Sequence, residues 1–138
     1  MKKIFIIIIY GKYLNLEGDI PSDNSFSLVL KNNEVELPFD IEVVNNEDKR
    51  VFKTNLYIND GINLEKLDIG EYILLLKDLN NNIYYPLINN TEYQNNTYWT
   101  MTRERKNNEI TFNNQSYNDK NYWTINVLEK TLPTDVYD

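Results

Sequence analysis

Apolar and polar residues alternate along most of this chain. Leu14 and Leu16 share one face of such a run, and so do Ile110 and Phe112, with polar residues between them. A period of two indicates β-strands, and no stretch with the helical period is longer than about one turn. The pattern predicts ten strands, at residues 4–10, 13–20, 26–30, 35–44, 51–58, 72–76, 83–88, 98–103, 109–112 and 122–128.

Clusters of asparagine separate these runs. They are Asn32-Asn33, Asn45-Asn46, Asn80-Asn81-Asn82 and Asn107-Asn108. Asparagine tolerates left-handed backbone angles and closes turns with its own side chain, so we expect these clusters at hairpin tips. Short strands separated by frequent turns are typical of β-sandwiches and small barrels.

The segment Asp68-Ile69-Gly70-Glu71-Tyr72 narrows the fold class. In immunoglobulin-like sandwiches, a tyrosine near the start of a central strand bonds through its hydroxyl to the backbone just upstream. Tyr72 has that position, Gly70 suits a tight approach to the strand, and Asp68 lies upstream. We therefore predict an all-β protein, an immunoglobulin-like antiparallel β-sandwich that occupies residues 1–138 as a single domain. Other sandwiches and small barrels are the alternatives.

The tripeptide Tyr-Trp-Thr occurs twice, at residues 98–100 and 122–124. Neighbouring residues of a strand face opposite sides of a sheet, and Trp99 and Trp123 fall on the apolar faces of their runs. We predict that both tryptophans lie in the core and that Tyr98 and Tyr122 point outward.

Outward tyrosines suit the stacking of sugars or contact with a partner protein. Together with Tyr85 on the preceding predicted strand, Tyr98 and Tyr122 are the candidate aromatic binding residues. The alternative is purely structural, because cross-strand pairs of tyrosine and threonine also stabilise a sheet face.

The composition limits the chemistry that this chain can perform. It contains no cysteine and no histidine, which excludes thiol nucleophiles, disulfides, histidine-based triads and most zinc sites. No nucleophile elbow, phosphate loop or dinucleotide fingerprint occurs. We expect no enzymatic activity, no cofactor and no metal. A glycosidase or lyase with two carboxylates across a cleft is the alternative.

The charge of the chain bears on its partners. The net charge of −7 repels phosphate backbones, so we expect no nucleic-acid partner. Arg103 and Arg105 lie in the most basic segment and are candidates for binding an anionic group. A solvated hairpin end is the alternative interpretation of that segment.

The N-terminal ten residues combine two lysines with an apolar run. The run is too short to cross a bilayer, and no small-residue cleavage site follows it. We interpret it as a strand buried on both faces, with a signal peptide as the alternative. No direct membrane insertion is expected, and a cytoplasmic or membrane-peripheral location in a low-GC bacterium is preferred over secretion.

Several segments follow one another in a characteristic order. They are GKYLNLEG at 11–18, FSLVLK at 26–31, LEKLDIGEYILLL at 64–76, YPLINNT at 85–91, YWTMTR at 98–103 and KNNEI at 106–110. Their order resembles that of the β-sandwich accessory domains attached to bacterial glycosyltransferases and glycerophosphotransferases that build teichoic acids and capsules.

The resemblance implies a non-catalytic module that helps a wall-polymer enzyme to assemble or to hold its polymer. None of the family's catalytic motifs is present, so no catalytic residue is carried over. The negative charge favours a protein partner, such as a glycosyltransferase, or a neutral glycan over an anionic polymer. An exposed edge strand would also permit self-association. A carbohydrate-binding module that uses the outward tyrosines is the alternative function.

Overall fold

The computed structural model describes residues 5–10, 13–46, 48–55, 67–87, 96–103, 107–117 and 120–129. Within these ranges the chain forms β-strands and no helix. The strands are β1 (Phe5–Tyr10), β2 (Tyr13–Asp19), β3 (Phe26–Lys31), β4 (Glu36–Phe39), β5 (Glu42–Asn46), β6 (Lys49–Asn55), β7 (Gly70–Asp78), β8 (Ile83–Pro86), β9 (Asn96–Arg103), β10 (Asn108–Tyr117) and β11 (Lys120–Glu129).

The strands form two antiparallel sheets. The smaller sheet has the order β1-β2-β6-β5, and the larger has the order β4-β3-β7-β11-β10-β9, with β8 also paired to β7. Apolar side chains of both sheets meet in one core, so the prediction of an all-β sandwich is confirmed. The immunoglobulin-like topology is a narrower statement and stays a prediction.

The core is densest where the two sheets face each other. The smaller sheet contributes Leu16 and Phe52, and the larger sheet contributes Trp123 and Phe112 among many others. The Trp123 ring is 1% exposed and stacks on Phe112, with ring centroids 5.0 Å apart and planes 12° apart. The alternation in residues 122–128 thus places Trp123 on the core side, as the sequence predicts.

The predicted strand at residues 35–44 is divided in the structure. Its first part is β4 in the larger sheet and its second part is β5 in the smaller sheet. The chain crosses between the sheets at Asp40, whose carbonyl oxygen accepts a hydrogen bond from the Thr54 hydroxyl at 3.0 Å. A chain that leaves one sheet for the other must bend at the crossing, and here the bend interrupts the single alternating run.

Asn32-Asn33, Asn80-Asn81-Asn82 and Asn107 lie at turns between strands, as predicted, whereas Asn45 and Asn46 are the last two residues of β5 and Asn108 is the first of β10. Asn82 between β7 and β8 has φ 56°, and Asn107 between β9 and β10 has φ 52°. Both angles fall in the left-handed region that asparagine tolerates better than most residues. Asn113 and Asn114, by contrast, lie inside β10, which extends five residues beyond the end predicted at Phe112.

The segment that leads into β7 adopts the tyrosine-corner contact. The Tyr72 hydroxyl donates a hydrogen bond to the Asp68 carbonyl oxygen at 3.0 Å. Tyr72 is buried, and its ring lies 3.6 Å from the position that a Cβ atom on Gly70 would occupy. The ring therefore packs closely over the start of the strand and ties it to the residues before it.

Candidate functional site

Tyr122 lies on the face of the larger sheet that points away from the core, here called the outer face. Trp123 and Ile125 point into the core, so Tyr122 and Thr124 point outward. Tyr122 is half-buried and Thr124 is 0% exposed, and the Thr124 hydroxyl donates to Gln115 Oε1 at 3.1 Å. This part of the outer face is a buried polar band rather than an open platform.

The polar band continues along β10. Asn113 Nδ2 donates to Thr111 Oγ1 at 2.8 Å, and both residues are buried. Among the described residues, three buried asparagine oxygens have no hydrogen-bond partner, namely the Oδ1 atoms of Asn108, Asn114 and Asn126. Buried amides inside strands were not predicted, because the sequence pattern of asparagine indicates turns.

Tyr98 does not lie beside Tyr122, because β10 separates β9 from β11. Trp99 pairs with Phe112, and Thr97 pairs with the next residue along β10, which leaves Tyr98 as the extra residue of a β-bulge. The structure describes the backbone of Tyr98 and Trp99 and not their side chains. The hypothesis of one aromatic patch required adjacent strands, and that condition is not met.

Tyr85 is on the core side of β8. It is the Cα partner of the buried Leu76, it packs against the core cluster, and its ring centroid is 6.4 Å from that of Phe26. Tyr85 and Tyr122 therefore belong to opposite faces of the same sheet, and the binding role of Tyr85 stays a prediction.

Most of the basic segment at residues 103–106 lies outside the residues that the structure describes. Arg103 ends β9 as the Cα partner of Asn108, with its backbone alone described, and Arg105 lies outside the described residues. Their proposed role in binding an anionic group stays a prediction.

The strongest candidate site is on the outer face at four other residues. Lys31, Glu36, Lys77 and Tyr84 come from β3, β4, β7 and β8 respectively, and we call them the Tyr84 cluster. Each strand presents one of them because its neighbours in the strand face the core, as Leu30 and Leu76 do. The cluster is thus held on four hydrogen-bonded strands rather than on a loop.

Glu36 is the centre of the Tyr84 cluster. Its Oε2 lies 2.6 Å from Lys77 Nζ, and its Oε1 accepts a hydrogen bond from the Tyr84 hydroxyl. The Lys31 ammonium lies 4.3 Å from the centroid of the Tyr84 ring, and the Lys77 ammonium lies 5.2 Å from it. The phenol ring is therefore fixed by a hydrogen bond at its edge and by cations at its face.

The ion pair favours the charged forms of Glu36 and Lys77. The Lys77 ammonium, followed by the Tyr84 hydroxyl, lowers the pKa of Glu36, and burial opposes them weakly. The Glu36 carboxylate raises the pKa of Lys77 in return. A carboxylate held ionised by two donors is suited to recognition and to rigidity, whereas a general acid needs the opposite shift.

The sequence alone predicts one outward tyrosine at residues 84 and 85 and does not decide which of the two it is. Adjacent tyrosines in a strand must face opposite sides, so one of Tyr84 and Tyr85 had to point outward. Which one does so depends on the register of β8 against β7, where Lys77 pairs with Tyr84 and Leu76 pairs with Tyr85. The alternation within the four residues of β8 does not determine that register.

The residues that the structure describes include no group of three acidic side chains close enough to hold a metal ion. In the same part of the chain, no helix has the length and apolar character needed to cross a membrane.

The sequence matches no protein-family model and no curated protein.

Proposed function

We propose that this chain is a non-catalytic interaction module of bacterial cell-surface polysaccharide synthesis, with the Tyr84 cluster at the centre of its binding face. The observation that supports this proposal is a half-buried tyrosine ring held between a carboxylate and two ammonium groups. Ordered aromatic side chains with a charged surround are the usual anchors of protein interfaces, because little side-chain entropy is lost when they bind.

Charge supports a protein partner with an acidic contact surface. The whole chain carries a net charge of −7, whereas the Tyr84 cluster contains two ammonium groups and one carboxylate. The cluster is therefore locally positive on an acidic protein, which gives a partner a defined orientation. We propose that the partner is an enzyme of the polysaccharide machinery, such as a glycosyltransferase, because the resemblance implies one.

Site-specific photo-crosslinking in the native host tests this proposal. A photoreactive amino acid replaces Pro38, which is exposed in β4 and pairs with the outer-face residue Val29. The matched control replaces Lys53, which is exposed on the smaller sheet. We expect an adduct with a polysaccharide-synthesis enzyme from position 38, its loss when Tyr84→Ala is added, and none from position 53. The absence of a protein adduct at position 38, or its persistence in the Tyr84→Ala variant, would contradict the proposal.

The carbohydrate-binding alternative makes a different prediction. A sugar would stack on the exposed part of the Tyr84 ring, since Tyr122 lies in the buried polar band. On a glycan array, binding of a neutral glycan by the wild type that Tyr84→Ala abolishes and Tyr122→Ala retains would replace the protein partner with a glycan.

A further inference from the structure

The edges of the two sheets differ in how well they are protected against pairing with another chain. Among the described strands, β4 and β9 end the larger sheet, and β1 and β5 end the smaller one. Strand β4 is four residues long and contains Pro38, which has no backbone N–H, and β9 is interrupted by the bulge at Tyr98. Proline, short length and bulges are the common devices that block strand addition.

Strand β5 has neither a proline nor a bulge, and it is one residue longer than β4. It is a regular strand of sequence EVVNN that pairs continuously with β6. Glu42, Val43 and Asn45 are exposed, and the Val43 side chain is 40% exposed although it is apolar. An accessible strand with an exposed valine and no proline is the kind of edge that accepts a further strand.

We propose that β5 is a self-association edge, at which two copies of this chain pair antiparallel about a two-fold axis midway between their Val44 residues. In that register Val44 lies opposite the partner's Val44, and Glu42 lies opposite the partner's Asn46. An isologous contact of this kind closes after two copies and does not propagate through β5.

The side chains beside β5 suit this register. Val44 is the Cα partner of Val51 on β6, so the pairing creates a row of four valines across the junction. Asn46 is the Cα partner of Lys49. A second row across the junction therefore contains Glu42, the partner's Asn46 and the partner's Lys49, in that order. On each side of the apolar row, the partner's Asn46 separates the Glu42 carboxylate from the partner's Lys49 ammonium, and no like charges stand opposite each other.

A pairing shifted by one residue is disfavoured. Val43 and Val44 lie on opposite faces of β5, so such a shift would turn the Val44 faces of the two copies to opposite sides of the extended sheet. The symmetric register therefore keeps the four valines of the row on one face.

Sedimentation equilibrium of the purified full chain tests the proposal. The wild type is expected to rise in mean mass from 16.5 kDa towards twice that value as its concentration reaches about 1 mM. Val44→Lys puts two ammonium groups opposite each other and is expected to weaken association by at least about tenfold. Val35→Lys is the matched control, because Val35 is a turn residue that is 41% exposed and distant from β5.

A charge exchange keeps the test decisive if Val44→Lys perturbs folding. Glu42→Lys alone is expected to weaken association, and Glu42→Lys with Lys49→Glu is expected to restore it to within about threefold. A wild type that remains monomeric throughout, or association that survives Val44→Lys and the single charge change alike, would overturn the proposal. Survival of association would assign the contact to another edge. The pairing uses the smaller sheet, so it stands or fails separately from the binding face at Tyr84.

Discussion

The Tyr72 hydroxyl donates a hydrogen bond to the carbonyl oxygen of Asp68, four residues upstream, at 3.0 Å. This contact closes the approach to β7, the strand that pairs with β3, β11 and β8 in the larger sheet. A local contact thus fixes where the central strand of that sheet begins.

Tyr72→Phe separates the contribution of this hydroxyl from that of its ring. We expect the free energy of unfolding to fall by about 1 kcal/mol, since one hydrogen bond is lost and the ring packing is kept. Tyr72→Ala is expected to cost about 3 to 5 kcal/mol, because it removes the ring from the core as well. Urea unfolding measures both values, and a Tyr72→Phe variant as stable as the wild type would contradict a structural role for the hydroxyl.

Asp78 is the last residue of β7, and we expect its contribution to the stability of the fold to depend on acid pH. It is 2% exposed, and its carboxylate accepts hydrogen bonds from Asn24 Nδ2 at 2.9 Å, from Asn81 Nδ2 at 3.1 Å and from the backbone N–H groups of Asn80 and Asn81. The Asn24 amide is the largest cause of the lowered pKa of Asp78, and burial opposes it.

The sign of the pH dependence follows from that lowered pKa. A carboxylate with a lower pKa in the folded than in the unfolded state stabilises the fold above its unfolded value of about 4 and loses that contribution as the pH falls further. We expect the loss of stability between about pH 5 and pH 2.5 to be smaller in Asp78→Asn than in the wild type. Asp23→Asn, at an exposed site nearby, should retain the wild-type loss. Equal acid profiles of the wild type and Asp78→Asn in denaturant unfolding would refute the prediction.

Asn114 is a site where an apolar residue should stabilise the protein. Its side chain is 3% exposed, it is the Cα partner of Trp123 in β11, and its Oδ1 has no hydrogen-bond partner. An unpaired buried amide oxygen costs about 1 to 3 kcal/mol. We expect Asn114→Leu, which keeps the number and branching of the side-chain heavy atoms, to raise the free energy of unfolding by about 1 kcal/mol. A decrease would mean that a bound water or a ligand satisfies the amide in solution.

The left-handed turn at Asn82 gives a test of backbone conformation. Its φ of 56° and its N–H bond to the Asp78 carbonyl oxygen at 2.8 Å define the tip between β7 and β8. Asn82→Gly should leave stability within about 0.5 kcal/mol, whereas Asn82→Val should lower it by about 1 to 2 kcal/mol, because a β-branched residue is strained at that φ. Thermal unfolding distinguishes the two, and equal melting temperatures would contradict the assigned turn geometry.

Local pattern predicted most of the strands for a physical reason. Alternation in segments such as Phe26 to Leu30 and Tyr122 to Leu128 reports which side of a strand meets the core, and asparagine reports where the chain can turn through left-handed angles. The Tyr72 corner was also predictable, because both of its partners lie within five residues of each other. These features depend on neighbours in sequence, so the sequence contains them.

The candidate site could not be predicted from neighbouring residues, because it depends on the pairing of strands that are distant in sequence. The Tyr84 cluster joins residues up to 53 positions apart, from Lys31 to Tyr84, and it exists because the register of β8 on β7 turns Tyr84 outward and Tyr85 inward. Pairing between strands also decides the position of Tyr98, because a bulge in β9 against β10 removes this residue from the regular alternation. It likewise divides residues 35–44 between the two sheets.

The sequence by itself determined that the chain forms alternating strands with asparagine turns, and which face of most strands is apolar. The tertiary structure decided strand order, register and the point at which the chain crosses between sheets, and through them which polar and aromatic side chains meet. Alternation is a local property set by burial of one strand face, whereas register and order are set by packing between segments distant in the chain, and no local pattern encodes them.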